Sequence, residues 1–388
     1  MASGVYSMTS KYKGNELKYL KKVLKSETWG STEGSVTNLF EKKFAERFDF
    51  KYGIAMNSGT AALHAALEGV GVGYGDEVIV PALTVIMDTA AIIQTGAVPV
   101  YADIDERTFN IDLDDVEKKV TPKTKAIIGV SLYGNESEIE QFDCGIPLIE
   151  DNAQHMGKSC ADVATYSFEN SKHMSCGEGG IALTDNEETA RKIRLLSNHG
   201  FKNSQAAEGR TKLNKDIFQS PNYERHSQIG WNYRMSEFSS AIALAQLENL
   251  DKFIEQRRDT AYAFSMLLAE RLDLFTFQEP VDCHDYWTLA VRFMGGIDNW
   301  HKFRERYIAN GGDGIYGAWQ VSYLEPAMKT GEFKKRNPEL YKNINYPSGL
   351  CPIAERVQKE IMQFKTNYRN NKILYQKLKA LGKTLKEF

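Results

Sequence analysis

The sequence predicts an α/β protein in which helices cover a mainly parallel β-sheet. Between residues 36 and 184, short apolar stretches alternate with segments whose apolar residues recur at helical spacing. The short stretches are hydrophobic at nearly every position, as expected for strands that are buried on both faces of a parallel sheet. At 388 residues the chain is too long for one compact core, which favours two domains of unequal size.

The alternating elements predict a large domain at residues 1–250 that contains a seven-stranded sheet. A helix, VTNLFEKKFAERF, starts near residue 36. The predicted strands follow in chain order as YGIAMN, EVIVPA, VPVYADI, KAIIGVSLY, IPLIED, VATYSF and GGIALTD. Further helices are predicted at GTAALHAALEGV and near residues 86–95 and 112–119.

The C-terminal part of the chain predicts a smaller α/β domain at residues 251–388. After a polar stretch at about 201–229, a long helical pattern from SEFSSAIAL to LLAERL is interpreted as one helix that bridges the two domains. The stretch YWTLAVRF then predicts a strand, and EIMQFKTNYRNNKILYQKLKAL predicts a final helix.

Composition and charge exclude several classes of function. Acidic and basic residues are interleaved at a formal net charge of −3, so no basic surface is available for nucleic acid. There is no run of 18 apolar residues that could span a membrane, and the start of the chain lacks a secretory signal, so a cytoplasmic protein is expected. The 5 cysteines lack CxxC spacing, and we expect neither disulfides nor a bound metal.

The motif NSGTAAL places hydroxyl groups and a glycine between a predicted strand and a predicted helix. Ser58, Gly59 and Thr60 form this turn. Ligands of open parallel sheets bind beyond the carboxyl ends of the strands, where backbone N–H groups and hydroxyls form a cradle for phosphate. An ordinary capped helix start explains the same residues, so the motif alone leaves both interpretations open.

The stretch PLIEDNAQ places Asp151 at the end of an apolar strand, with Gln154 about one turn further on. A partly buried carboxylate needs a cationic or hydrogen-bonding partner. The protonated nitrogen of a pyridine ring is one such partner, since a pair of charges about 4 Å apart gains roughly 4 kcal/mol at an effective dielectric constant of about 20. A carboxylate that caps a turn is the alternative interpretation.

The stretch SFENSKHMSCGEGG places Lys172 shortly before a glycine-rich turn between two predicted strands. A lysine there can reach over the strand ends and form a Schiff base with an aldehyde cofactor. Most single lysines in loops are solvated surface residues. Here a phosphate turn, a carboxylate and a lysine converge on one edge of the sheet, which favours a cofactor site.

The order of NSGTAAL, EDNAQ, YSFENSKHMSCGEGG and GWNYRMSE resembles the pyridoxal-phosphate-dependent nucleotide-sugar aminotransferases of fold type I, the DegT-like family. The resemblance runs from about residue 29 to 260, and more loosely to the C-terminus. It implies a fold type I transferase with pyridoxal 5'-phosphate as cofactor. It also implies a nucleotide-linked keto-sugar and glutamate as substrates, and a homodimer with shared active sites.

The resemblance also implies roles for individual residues. Lys172 would form the Schiff base and then act as general acid and base, Asp151 would hold the pyridine nitrogen, and Gln154 would lie against the 3-hydroxyl of the ring. Phosphate contacts are implied for Ser58, Gly59, Thr60 and Ser167, and for Asn232, which would reach the cofactor of the neighbouring subunit.

Two alternatives remain open at this point. Some relatives carry histidine in place of the Schiff-base lysine and remove a hydroxyl from a keto-deoxysugar; His173 is a neighbour, but the spacing to GEGG aligns Lys172 with the catalytic position. The family position that usually carries an aromatic residue against the cofactor ring is Val85, which lends weight to a non-catalytic, cofactor-binding regulatory protein. The joint presence of Lys172, Asp151 and Gln154 favours an enzyme.

Overall fold

The described residues form two β-sheets with helices packed against them. A computed structural model describes residues 11–30, 35–142, 144–207, 209, 214–279 and 283–388; residues 1–10, where the sequence predicts no secretory signal, lie outside this range. One sheet has seven strands and the other has three. This architecture confirms the predicted α/β class.

All of the strands predicted for the large sheet are present. The strands within the described residues are β1 (Tyr52–Met56), β2 (Glu77–Pro81), β3 (Val98–Ala102), β4 (Thr124–Val130), β5 (Leu148–Asp151), β6 (Val163–Ser167), β7 (Gly180–Thr184), β8 (Phe275–Phe277), β9 (Thr288–Phe293) and β10 (Ile361–Lys365). The large sheet has the order β1-β7-β6-β5-β4-β2-β3. Strands β2 to β6 are parallel, whereas β7 runs antiparallel to both of its neighbours.

Helices cover both faces of the large sheet. The helices are α1 (Glu16–Ser26), α2 (Ser35–Arg47), α3 (Gly59–Gly69), α4 (Met87–Thr95), α5 (Leu113–Lys119), α6 (Glu187–Ser197), α7 (Lys215–Gln219), α8 (Glu237–Leu247), α9 (Leu250–Leu268), α10 (Ile297–Ala309), α11 (Pro326–Lys329), α12 (Pro338–Tyr341), α13 (Pro352–Glu360) and α14 (Asn371–Glu387). Alternate strand residues face different cores, since Ile54 and Met56 pack with α3 while Ala55 packs with α2 and α8. None of the helices in the described residues is both long and apolar enough to cross a membrane.

The single bridging helix predicted after Ser236 is wrong, because the structure contains two helices there. Helix α8 ends at Leu247 and α9 begins at Leu250. Between them the backbone of Asn249 leaves helical geometry at φ −116°, and the Asn249 side chain donates to the carbonyl oxygen of Ala245. Asparagine side chains compete in this way with the helical hydrogen bonds of the backbone.

The predicted start of the final helix is also wrong, because IMQFK forms strand β10. This strand pairs antiparallel with β9 and buries its first four residues. A short apolar run of this kind has no periodicity that separates a buried strand from a helix. Helix α14 begins only at Asn371, after the side chain of Asn370 has capped it.

The smaller sheet, in the order β10-β9-β8, forms a separate core with α9, α10 and α14. Helix α8 packs on α1 and α2, whereas α9 packs on α14. We therefore propose that the boundary between the two domains lies near residue 250. Part of the second segment lies against the large sheet, since the hydroxyl of Tyr341 donates to the carbonyl oxygen of Ala97.

Candidate active site

The predicted phosphate turn lies where β1, β6 and β7 meet the start of α3. Ser58 is extended and caps α3, because its Oγ accepts a hydrogen bond from the N–H of Ala61 at 3.1 Å. A Cβ atom on Gly59 would lie 2.9 Å from the Cβ of Ser167, the last residue of β6. This crowding requires glycine and brings the Ser167 hydroxyl beside the helix start.

The start of α3 is suited to an anion. The first backbone N–H groups of a helix have no partner within the helix, and its dipole favours negative charge at this end. Thr60 stands in the first turn, and Ser58 and Ser167 add hydroxyl groups. The arrangement therefore has the donors that a phosphate group needs.

Asp151 ends β5 between β4 and β6, and only 8% of it is exposed. Its Oδ1 accepts a hydrogen bond from the N–H of Ala153 at 2.9 Å. Burial raises the pKa of Asp151, while the Ala153 N–H and the charge of Lys172 act in the opposite direction. A second buried carboxyl group, that of Asp88, lies close enough to Asp151 for each to shift the pKa of the other, and it was not identified from the sequence.

The orientation of Gln154 is fixed by the backbone after β4. Its Oε1 accepts a hydrogen bond from the N–H of Tyr133 at 2.7 Å, so the amide nitrogen, with its two donors, lies on the other side. A hydroxyl or phenolate oxygen of a ligand can accept from that nitrogen. Tyr133 has φ +64°, an uncommon conformation for a residue other than glycine, and belongs to the tight turn that follows β4.

Lys172 lies in the loop between β6 and β7, two strands that pair antiparallel with Ser167 opposite Gly180. The side chain is half-buried, and its Nζ lies 4.8 Å from the centre of the Trp287 ring. Burial lowers the pKa of Lys172, and the negative charges of Asp151 and Glu169 partly offset this. A lysine in this environment is a better base near neutral pH than a solvated one.

Two buried basic side chains hold the backbone of Lys172. The Nζ of Lys11 donates to its carbonyl oxygen at 2.8 Å, and Nη2 of Arg257 donates to the same oxygen at 3.2 Å. Burial, followed by the charges of Arg257 and Arg369, lowers the pKa of Lys11 to about 7. The charge of Arg257 also contributes to the lowered pKa of Lys172. Neither Lys11 nor Arg257 belongs to a motif recognised in the sequence.

His173 faces away from this edge, into a buried network around Asp285. Its Nε2 lies 3.0 Å from the carbonyl oxygen of Asp285. Burial and the charge of Arg257 lower the pKa of His173 well below its usual range, so the neutral ring donates to that oxygen. The Asp285 carboxylate pairs with His155 at 3.0 Å and Arg258 at 2.8 Å. The network anchors the lysine loop.

Three aromatic rings line the space beside Lys172. Trp319 is stacked on Tyr133 at 6.4 Å between ring centres, and on Trp287 at 5.9 Å. The indole N–H of Trp287 donates to the carbonyl oxygen of Ser171. Trp319 is 37% exposed, so it offers a ring face to a ligand, and no sequence motif identifies it as a site residue. Val85 is partly buried and offers no ring.

The main chain at Asn232 runs beside the phosphate turn of its own chain. Its carbonyl oxygen accepts from the side-chain amide of Asn57 at 3.3 Å, and the next residue, Tyr233, accepts from the Asn57 N–H at 2.7 Å. The Asn232 side chain is exposed. Its role toward a neighbouring subunit stays a prediction.

These residues fit pyridoxal phosphate: the turn at Gly59 suits its phosphate, Asp151 its ring nitrogen and Lys172 its aldehyde. Residues 10–364 match the family described as the DegT/DnrJ/EryC1/StrS aminotransferases. The chain belongs to this family. The aminotransferase is 31% identical to a GDP-perosamine synthase of Vibrio cholerae over 376 residues, which cover 92% of this chain and 97% of that relative.

Solved structures share the fold of the aminotransferase. An aminotransferase from Psychrobacter cryohalolentis superposes with a TM-score of 0.82 at 26% identity, covering 96% of each chain. An E. coli GDP-4-keto-6-deoxy-D-mannose-3-dehydratase with bound hydrated pyridoxal phosphate gives 0.76 at 26% identity, covering 95% of this chain and 97% of that one. The predicted family, the fold type I class and the cofactor are therefore confirmed, and the protein is a pyridoxal-phosphate-dependent aminotransferase.

The crowding at Gly59 predicts weaker cofactor binding in Gly59→Ala. The added Cβ forces the turn and Ser167 apart, and overpacking of this kind costs about 1–3 kcal/mol, or roughly 5- to 150-fold in affinity. The affinity is measured by titrating the apo protein with pyridoxal phosphate and recording its absorbance. Gly73→Ala is the matched control, because a Cβ there has no neighbour within 4 Å. Equal affinities in the two variants would contradict the assignment of the turn.

Proposed function

We propose that the enzyme transfers an amino group from glutamate to the keto group of a nucleotide-linked sugar. The similarity to GDP-perosamine synthase supports a nucleotide-sugar substrate, with guanosine diphosphate as the first nucleotide to test. The observation that carries transamination is the placement of Lys172 near Asp151 and the Trp287 ring, while His173 is buried against the backbone of Asp285.

The cofactor would be held by the phosphate turn of Ser58, Gly59 and Thr60 with Ser167, and by Asp151 and Gln154 along its ring. When bound, pyridoxal phosphate supplies an electron-poor ring that stabilises negative charge on the carbon that carries the amino group. The Asp151 carboxylate keeps the ring nitrogen protonated. The Lys172 amine would take the proton from the donor carbon and deliver it to the former aldehyde carbon of the cofactor, and in the second half-reaction it would move a proton from that carbon to the sugar carbon.

The surroundings of Lys172 suit this proton transfer. An ordinary lysine titrates near 10.4 and is almost fully protonated at neutral pH. Because burial and Arg257 lower the pKa of Lys172, a larger share of its amine is neutral and able to accept a proton. The carbonyl oxygen of Lys172 accepts hydrogen bonds from Lys11 and Arg257, which hold in place the backbone that carries the amine.

One substrate separates the proposed reaction from the alternatives. We expect GDP-4-keto-6-deoxy-D-mannose, incubated with the holoenzyme and glutamate labelled with heavy nitrogen, to give an amino sugar that contains the label by mass spectrometry. A product that has lost a hydroxyl would instead indicate the dehydratase. Binding without turnover of this sugar and of its uridine and thymidine counterparts would indicate a regulatory protein.

We also propose that the enzyme is a homodimer in which Asn232 completes the site of the neighbouring subunit. Lys172→Ala and Asn232→Ala chains are each expected to be impaired. When co-expressed, each mixed dimer would hold one doubly substituted site and one intact site. With random pairing about half of the dimers are mixed, so roughly a quarter of all sites recover.

The recovery is measured as specific activity after the mixed dimers have been purified through two different affinity tags. Purified mixed dimers should reach about half of wild-type activity, because one site in each is intact. Asn232→Ala alone must first be shown to fall well below that level. Mixed dimers that stay as inactive as the single variants would place Asn232 in the site of its own chain.

A further inference from the structure

We infer that Asp88 is a positioning residue that carries a proton and donates it in a hydrogen bond to Asp151, which keeps Asp151 as the single carboxylate at the pyridine nitrogen. The inference deepens the proposed role of Asp151 and rests on it. Asp88 is the second residue of α4, lies 63 residues before Asp151 in the chain, and is 0% exposed. Nothing in the sequence motifs distinguishes it.

The buried surroundings of the Asp88 carboxyl group favour a proton between Asp88 and Asp151. Its Oδ2 accepts from the hydroxyl of Thr84 at 2.6 Å. Its Oδ1 is fully buried and, within the described part of the chain, meets no N–H or O–H donor. The acid beside it is Asp151, whose negative charge acts on Asp88. An ionised Asp88 would leave this buried oxygen without a donor, whereas a proton on one of the two acids allows a hydrogen bond between them.

Asp88 is the acid that keeps the proton. Asp151 accepts a backbone N–H from Ala153 and is attracted by Lys172, and both interactions favour its ionised form. Ionisation of Asp88 is favoured by the Thr84 hydroxyl, by the weak dipole at the start of α4 and by the charge of Lys172. Burial and the negative charge of Asp151 oppose its ionisation more strongly, and they raise the pKa of Asp88 well above its usual range.

The consequence is a pair of acids that carries one negative charge instead of two. A single charge on Asp151 matches a single protonated ring nitrogen, whereas a second buried carboxylate would have no cation of its own. The donated hydrogen bond stabilises the Asp151 carboxylate in a site where burial would otherwise favour its neutral form. Asp88 therefore acts on the cofactor only through Asp151.

The first test uses the full-length protein without cofactor, so its outcome does not depend on the reaction. In Asp88→Asn the amide nitrogen can donate to Asp151 and the amide oxygen can accept from Thr84. We expect wild type to show the infrared carbonyl band of a buried protonated carboxyl at neutral pH, and Asp88→Asn to lack it. Should Asp88→Asn fail to fold, Asp88→Ser serves instead. The same band in wild type and variant would overturn the inference.

The second test is the pH dependence of unfolding of the apo protein in urea. Because the folded state keeps a proton on Asp88 that the unfolded state releases above about pH 4, the contribution of Asp88 to wild-type stability falls as the pH rises. Asp88→Asn has no such loss. The ratio of the wild-type to variant unfolding constants should rise about tenfold for each pH unit above about 4, until Asp88 ionises in the folded state. A ratio that does not change with pH contradicts a protonated Asp88.

The third test asks whether Asp88 acts through Asp151 in the working enzyme. Asp88→Ala removes the donor, so the pKa of Asp151 rises and the acidic limb of kcat/KM moves to higher pH. Asp88→Asn keeps a donor and should leave the limb near its wild-type position. If Asp88 were ionised, its removal would relieve repulsion and move the limb to lower pH. A shift in that direction would exclude the inference even if the enzyme proves to act on another substrate.

Discussion

Lys172→Ala is expected to lose at least roughly 10²- to 10⁴-fold in kcat, because that range is what a positioned general acid and base contributes. The variant also loses the amine that would attach the cofactor. The fold should persist, since Lys172 is half-buried, and the carbonyl clamp formed by Lys11 and Arg257 binds its backbone rather than its side chain. Activity is measured with the labelled glutamate and keto-sugar.

Covalent attachment gives an independent readout of the same substitution. Borohydride should fix the cofactor on a peptide that contains Lys172 in wild type, and should leave Lys172→Ala unlabelled in mass spectrometry. Lys158→Ala is the matched control, because Lys158 is exposed and paired with Asp49. Label on another lysine, such as the buried Lys11, would refute the assignment.

The strands of the large sheet were predictable because burial on both faces makes each of them a continuous apolar run. Strands β1, β3 and β7, with the sequences YGIAM, VPVYA and GIALT, are of this kind. Strand β10 has the same character, yet it stands directly before a helical pattern, and its pairing with β9 depends on residues about 70 positions earlier. The local sequence pattern around β10 therefore does not identify β9 as its partner strand.

The candidate site also contains some residues that the local sequence predicts and others that it does not. Asp151 ends strand β5, and Lys172 follows strand β6. Because ligands bind beyond the carboxyl ends of parallel strands, the local sequence alone predicts that the two residues lie close together. Their supporting groups come from elsewhere in the chain. Lys11 reaches the Lys172 carbonyl across 161 positions, and Arg257 reaches it across 85. Such contacts follow from tertiary packing and leave no local motif.

The three aromatic rings beside Lys172 could not be predicted from local sequence. The valine at position 85 indicated that no aromatic ring contacts the cofactor from that position. The sequence did not show that rings from other elements replace it. Trp287 and Trp319 come from the second half of the chain, and Trp319 stacks on both Trp287 and Tyr133. A single tryptophan in sequence is more often a core or interface residue. Its place beside Lys172 therefore could not be assigned in advance.

Asp151→Asn is expected to keep much of its affinity for pyridoxal phosphate and yet to lose about 10²- to 10³-fold in kcat, the cost of removing one well-placed electrostatic contact at a reacting centre. The phosphate turn at Gly59 is untouched, so binding persists. An amide cannot keep the ring nitrogen protonated, and a neutral ring withdraws electrons poorly.

The measurement pairs cofactor titration with kcat, so that loss of binding and loss of chemistry are separated. Asp251→Asn is the matched control, since Asp251 is exposed on α9 and paired with Arg47. Asp151→Asn also removes the charge that opposes ionisation of Asp88, so the infrared band of the protonated Asp88 should shift or weaken in this variant. Near-wild-type turnover would mean that another group protonates the ring, and an unchanged band would mean that Asp88 does not sense Asp151.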